Sequence, residues 1–351
     1  MSETAVVICP GRGSYGKEEL GYLKRATPEA RAPIDRIDDE RRRLGRPTVT
    51  ELDGAEKYSP RIHTAGENAS ALIYACSRAD FLAIDRERFE IVAVTGNSMG
   101  WYAALAVAGA LDDDSGFKLV ETMGAMMAGG VIGGQIIYPV VDGEWRPSEE
   151  NEERLRAAME AVVRRGEGEL HLSIDFGGYR VIGGDERGLR ALAEALPRVE
   201  DRYPMRLVNH AAFHTPMMRE VSERAFAAMP EELFGPPRIP LIDGCGAIRQ
   251  PYSTDPAALR DYTLGRQVVA PYSFSTAVEV ALREFAPSRL ILLGPGAASG
   301  GAIGQILVKH RWMGIDSKSA FVERQREDPY LLAMGREAQR SAVCADAPAK
   351  R

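Results

Sequence analysis

The stretch Ile91-Val-Ala-Val-Thr-Gly-Asn-Ser-Met-Gly-Trp-Tyr-Ala-Ala-Leu-Ala-Val107 decides the fold. Ile91 to Val94 is a short β-rich apolar run, Thr95 to Gly100 interrupts it, and Trp101 to Leu111 resumes as an apolar helix able to lie inside a domain. The interruption, Gly96-Asn97-Ser98-Met99-Gly100, fits Gly-x-Ser-x-Gly, in which small flanking residues let a strand turn sharply into a helix and leave the serine strained and exposed. Ser98 would stand at a helix N-terminus, where backbone N–H groups and the dipole favour a developing oxyanion. This predicts an α/β unit with a nucleophile on its elbow; the alternative is a plain serine in a glycine turn.

The alanine-rich helix Ala69–Leu82 precedes that strand, and the apolar run Ala5–Cys9 reads as a first strand ending in the loop Pro10-Gly-Arg-Gly-Ser14. Residues 35–60 are charged and weakly periodic, which predicts a solvated helix and connection covering little core. Two β-rich stretches, Gly129–Val141 and Leu170–Ile182, alternate with the helical segments Glu149–Arg165 and Glu186–Leu196, so a small α+β lobe is expected at 128–205. Residues 1–127 and 206–333 then form the large unit, with Pro240–Asp243, a helix Tyr272–Phe285 and a strand Leu290–Leu293 restoring its pattern. Residues 334–351 are polar and read as a frayed tail.

The chain has 351 residues, 45% of them hydrophobic, so wholesale disorder is excluded. Its net charge of −6 argues against a dedicated nucleic-acid binder. The cysteines Cys9, Cys76, Cys245 and Cys344 form no C-x-x-C pair and lack histidine neighbours, so no metal site is expected. No run reaches the roughly 18 apolar residues of a membrane span. The N-terminus lacks the features of a signal peptide, and a cytoplasmic location is the expectation.

A nucleophilic serine needs a base, and the histidines are His63, His171, His210, His214 and His310. His214 has the best local setting, in Asn209-His-Ala-Ala-Phe-His-Thr-Pro-Met-Met218, where Pro216 marks a structured turn before a helix near Met217. His210, four residues away, is its rival, and the alternative for His214 is a helix-start residue bonded to backbone, the commoner role of a lone histidine.

Five motifs in order, Pro10-Gly-Arg-Gly-Ser14, Gly96-Asn-Ser-Met-Gly100, Ala212-Phe-His-Thr-Pro216, Gly265-Arg-Gln267 and Leu293-Gly-Pro-Gly296, span most of residues 5–310. Their order resembles that of malonyl-CoA:acyl carrier protein transacylases and the acyltransferase domains of polyketide synthases. The resemblance implies an α/β-hydrolase-like large domain with an inserted small ferredoxin-like lobe. It also implies ping-pong transfer of an acyl group from coenzyme A to the phosphopantetheine thiol of an acyl carrier protein. Acyl-CoA would be a substrate, no cofactor would be permanently bound, and neither nucleic acid nor membrane would be a partner. Ser98 would be the nucleophile, His214 the base, and the backbone carbonyl of Gln267 the group that orients His214; on that basis Gln267→Ala should be nearly silent. The backbone N–H groups of Met99 and Arg12 would form the oxyanion hole.

Three positions depart from the family pattern. Arg12 stands where glutamine is common, Asn97 where histidine precedes the serine, and Met123 where malonyl-specific members carry the arginine that pairs with the malonyl carboxylate. Met123, Arg12 and Asn97 are thus the expected acyl-pocket residues. Either the acyl group is uncharged, which is the favoured reading, or Arg12 supplies the missing guanidinium. An acyl-thioester hydrolase acting on carrier proteins is the runner-up, differing only in whether water resolves the acyl-enzyme. A non-catalytic docking module fits poorly with an intact Ser98 and His214. A conventional esterase would place its histidine near the end of the fold, where His310 sits in a basic, helical-looking stretch.

Overall fold

The computed structural model describes residues 2–126 and 132–345. Its strands, in chain order, are β1 (Glu3–Cys9), β2 (Phe89–Gly96), β3 (Gly134–Pro139), β4 (Leu170–Phe176), β5 (Tyr179–Gly184), β6 (Met205–Arg206), β7 (Leu241–Ile242), β8 (Ile248–Arg249), β9 (Tyr272–Ser273), β10 (Arg289–Leu292) and β11 (Leu331–Ala333). Ala5 to Cys9 are fully buried, as an uninterrupted apolar run demands of a strand covered on both faces. β1 lies at the centre of a sheet ordered β11-β10-β1-β2-β7-β8, parallel throughout except for β8. Its register sets Cys9 beside Gly96 and Ile8 beside Leu292. The first glycine-rich loop, the serine elbow and the turn after β10 therefore leave the sheet together at the carboxyl ends of its strands, the edge where open parallel sheets form their sites.

The second sheet runs β6-β3-β5-β4-β9. Helices Glu149–Arg164 and Glu186–Ala195 bury Leu155, Val162, Leu189 and Leu192 in a core shared with Ile136, Tyr138 and Ile182. The stretch read as one β-rich run at Leu170–Ile182 is a hairpin, turning at Gly177, whose φ of 64° favours glycine. We propose residues 128–205 as the inserted lobe; positions 128–131 lie outside the described residues. Its sheet also takes β9, parallel to β4, from the chain beyond it. The helix expected from Tyr272 accordingly starts at Phe274, capped by Ser273. No described helix is long and apolar enough to cross a membrane.

Two expectations need correction. The charged segment after residue 35 belongs to a helix, Pro28–Arg43, that buries Ile34, Ile37 and all of Arg41. The Arg41 guanidinium donates to Glu121 at 2.8 Å and to Asn68 Oδ1 at 2.6 Å, so the charge is paired inside the protein. Periodicity scores arginine as polar and cannot see a partner eighty residues away. Residues 334–345 of the supposed tail are packed and not frayed. Met334 is buried, a helix runs over Glu337–Val343, and Arg340 forms a buried ion pair with Asp80. Residues 346–351 lie outside the described residues.

Candidate active site

Ser98 occupies the left-handed region, at φ 55°. Its flanking glycines are sterically required: a Cβ on Gly100 would run into the Cys9 carbonyl oxygen, and one on Gly96 into the Gly100 backbone. The Asn97 N–H donates to Cys9 O at 3.0 Å and the Gly100 N–H to Asn97 O at 2.7 Å, closing the elbow before the helix Gly100–Val107 begins.

His214 is likewise at positive φ, 57°. The small sheet secures its loop: Ser173 Oγ on β4 donates to Phe213 O at 2.7 Å, and Gln135 Nε2 on β3 donates to Ser173 Oγ at 2.6 Å. Thr215 Oγ1 donates to Ala212 O at 2.6 Å. This brings His214 Nε2 to 2.7 Å from Ser98 Oγ and His214 Nδ1 to 2.5 Å from the Gln267 carbonyl oxygen. Gln267 follows a wide π-type turn, Tyr262–Arg266, in a short segment ending at Val269, so its carbonyl has no partner further along the helix and is free to accept. A carbonyl only accepts, so Nδ1 carries the hydrogen and Nε2 offers its lone pair to the Ser98 hydroxyl. Burial lowers the His214 pKa to about 4, outweighing the opposing pull of the Gln267 carbonyl. At neutral pH His214 is an uncharged base.

His210 is turned elsewhere, its Nδ1 meeting Gln135 Oε1 at 2.8 Å. Burial, followed by the nearby Arg12 charge, lowers its pKa to about 3. Among the described residues, no acceptor takes the backbone N–H of Arg12 or Met99. The arrangement sets a serine hydroxyl against a neutral imidazole held by a carbonyl, with two spare backbone donors nearby, a geometry able to support nucleophilic catalysis.

A narrow cavity of ≈ 50 Å³ opens on Ser98 and His214. Its walls are largely apolar, with Val120, Met123, Met218, Val221 and Val268, and Arg12 is its one charged arginine or lysine. The Arg12 guanidinium donates through Nη2 to the carbonyls of Thr64 and Asn209, each at 3.0 Å, and its Cζ lies 5.5 Å from the centre of the Phe213 ring. Burial lowers its pKa to about 10, which leaves it charged at neutral pH. Among the described residues it has no ion-pair partner. Asn97, expected in the acyl pocket, does not line the cavity; its side chain lies against Gly11, and its buried Oδ1 is unpartnered. The turn Gly294–Gly296 does not line it either. The Gly294 N–H donates to Asp80 at 2.7 Å, and Gly296 packs on the Ser14 carbonyl, supporting the first loop.

Sequence reasoning missed Tyr102 and the side chain of Gln267, which meet beneath the serine: Tyr102 OH donates to Gln267 Oε1 at 3.0 Å, and Gln267 Nε2 donates to Ser98 O at 3.2 Å. The available signal was a tyrosine and a glutamine among apolar neighbours, since buried polar groups must find partners. A larger cleft of ≈ 600 Å³ lies between the helices Pro28–Arg43 and Asp113–Ala125. Its Arg36, Arg78 and Arg46 pair with its own Asp113 and Glu121, and no histidine lines it. Among the described residues, no cluster of three or more His, Cys, Asp or Glu is placed to hold a metal ion.

The chain has the fold of the malonyl-CoA:acyl carrier protein transacylases, an α/β-hydrolase-like large domain with a small ferredoxin-like lobe, as the ordered motifs implied. It is similar to the transacylase of that name from Xanthomonas oryzae, with a TM-score of 0.74 at 21% identity over 98% of this chain and 100% of that one. The Synechocystis malonyl-CoA:ACP transacylase aligns with a TM-score of 0.72 at 20% identity, covering 97% and 100% of the two chains. A malonyl-transacylase solved in complex with a type II PKS acyl-carrier protein gives 0.71 at 20% identity, covering 98% and 99%. No protein-family model matches the chain, and no curated protein matches it by sequence.

Proposed function

We propose that this protein is an acyltransferase that carries a short acyl group from coenzyme A to the phosphopantetheine thiol of an acyl carrier protein. The observation that carries the reading is the hydrogen-bonded chain Ser98–His214–Gln267 O, at 2.7 and 2.5 Å, at the carboxyl edge of this fold. In the first half-reaction His214 Nε2 takes the Ser98 proton as Oγ attacks the thioester carbonyl carbon. The N–H groups of Met99 and Arg12 receive the oxyanion, the C–S bond breaks, and the proton leaves on the coenzyme A thiol. The second half runs in reverse: the carrier thiol gives its proton to Nε2, attacks the acyl ester and restores the Ser98 hydroxyl.

The apolar walls and Met123 favour an uncharged acyl group, because a carboxylate buried against them unpaired would cost several kcal/mol. One observation favours a second reading. Arg12 is half-buried in the cavity wall, and its Nη1 and Nε donors carry no hydrogen bond among the described residues, so a carboxyl-bearing acyl group has a guanidinium to meet.

The test is to supply acetyl-CoA and malonyl-CoA with a phosphopantetheinylated carrier protein and measure acyl-carrier formation and coenzyme A release. Transfer predicts that release stops near one equivalent when the carrier is left out; continuous release would make the protein a thioester hydrolase. On the favoured reading acetyl-CoA has the higher kcat/KM, and Met123→Arg gains malonyl transfer. A wild-type preference for malonyl-CoA, lost selectively in Arg12→Ala, would establish the second.

A further inference from the structure

Gln267 sits 3% exposed between the two halves of the site and uses both its main chain and its side chain there. The main-chain carbonyl orients His214, and the side-chain amide reaches back under the nucleophile. Chemistry fixes the direction of that amide. Ser98 O can only accept, so Nε2 must face it, which turns Oε1 toward Tyr102 and makes the tyrosine hydroxyl the donor. Tyr102 is itself buried in the helix that leaves the elbow, four residues beyond Ser98, and its hydroxyl hydrogen therefore needs this acceptor. One residue thus ties the base's anchor to the strained peptide of the nucleophile, and a tyrosine locks its orientation.

We propose that the Gln267 side-chain amide, locked by Tyr102, is a positioning group that sets the distance between Ser98 and His214. This rests on the Ser98–His214 pair being the catalytic pair. It replaces the expectation that Gln267→Ala is silent: alanine keeps the carbonyl that holds His214 but removes one of the two donors to the Ser98 carbonyl, leaving the Trp101 N–H at 3.0 Å. With that bond gone the Ser98 peptide is freer to shift against His214, and misplacements of about 1 Å cost up to roughly 10²-fold in rate.

The experiment uses the full chain and a fluorophosphonate, which reports the nucleophilicity of Ser98 whatever the acyl donor. Wild type, Gln267→Ala, the similarly shaped Gln267→Met, Tyr102→Phe and the double variant Tyr102→Phe/Gln267→Ala are compared where circular dichroism shows all of them folded. The maximal labelling rate should fall roughly 10- to 100-fold in both Gln267 variants, with the half-saturating probe concentration unchanged. Tyr102→Phe should lose about 3- to 10-fold, and the double variant should be no slower than Gln267→Ala, as expected when one residue acts only through the other. Gln267→Ala and Gln267→Met labelling within about twofold of wild type, or losses in the double variant that multiply, would overturn the proposal. Wild-type protein that does not label at Ser98 would overturn it together with the acyl-transfer reading. Wild-type protein that labels at Ser98 yet moves no acyl group would fail the transfer reading alone.

Discussion

Ser98 and His214, two of the few non-glycine residues at positive φ, face each other at 2.7 Å. Such strain, of order 1–3 kcal/mol per residue, persists only where the surroundings enforce it, here through the flanking glycines and the carbonyl bonds of the His214 loop. Ser98→Ala should abolish both fluorophosphonate labelling and acyl transfer. His214→Ala should slow labelling by several orders of magnitude, because nucleophile and base act as a unit, whereas His210→Ala should be much milder. The acid limb of the labelling rate checks the base separately. Protonated His214 cannot accept the serine proton, and burial lowers its pKa to about 4, so the rate should hold through pH 6 and fall only as pH drops through about 4. A midpoint near the ordinary histidine value of about 6.5 would show a solvated base. The serine was legible in the sequence because its glycines answer a local steric demand. The choice of His214 over His210 was only partly legible: Pro216 and the turn before a helix favoured it, but four positions along an irregular segment do not say which ring turns inward. The carbonyl of Gln267 leaves no side-chain signature at all and came only through the resemblance.

Three turns at the end of the central strands bring the site together, and each is held by close backbone approach. Gly100→Ala should therefore do more damage than a mid-helix glycine-to-alanine change, which is usually favourable. Its methyl meets the Cys9 carbonyl, so loss of labelling together with a lowered melting temperature is expected from calorimetry and probe kinetics. The helix Glu337–Val343 acts at a distance through Arg340. Asp80 accepts from Arg340, from Tyr22 OH at 2.7 Å and from the Gly294 N–H at 2.7 Å, so one buried carboxylate joins this last helix to the turn that supports the first loop. Arg340→Met leaves that carboxylate uncompensated and should cost about 3–5 kcal/mol in denaturant unfolding, while adding Asp80→Asn should recover part of the loss. Strands and apolar helices were readable because burial writes a period into the sequence. The burial of the helix carrying Arg41, read as solvated, and the helix carrying Arg340 were not, because each buries a charge whose partner, Glu121 or Asp80, is remote in the chain.

At the scale of the whole molecule, the small sheet and the parallel sheet each deliver half of the site: β3 and β4 hold the His214 loop, and β1 and β2 deliver the first loop and Ser98. The inserted lobe was legible as an interruption of the α/β order, but its borrowed strand β9 was not, since two residues are too short for any periodic signal. A cavity of ≈ 50 Å³ beside Ser98 suits a short acyl chain, and Arg12 and Met123 in its wall make the choice of acyl group measurable. On the proposed function Ser98 carries the acyl group between two thiols. Intact-protein mass spectrometry of the full chain incubated with acetyl-CoA or malonyl-CoA tests it directly. One added acyl mass is expected, absent from Ser98→Ala, that disappears on addition of phosphopantetheinylated carrier protein as the same mass appears on the carrier. Stoichiometric acylation of the Ser98→Ala variant, or carrier acylation by a protein that never bears the acyl mass, would contradict it.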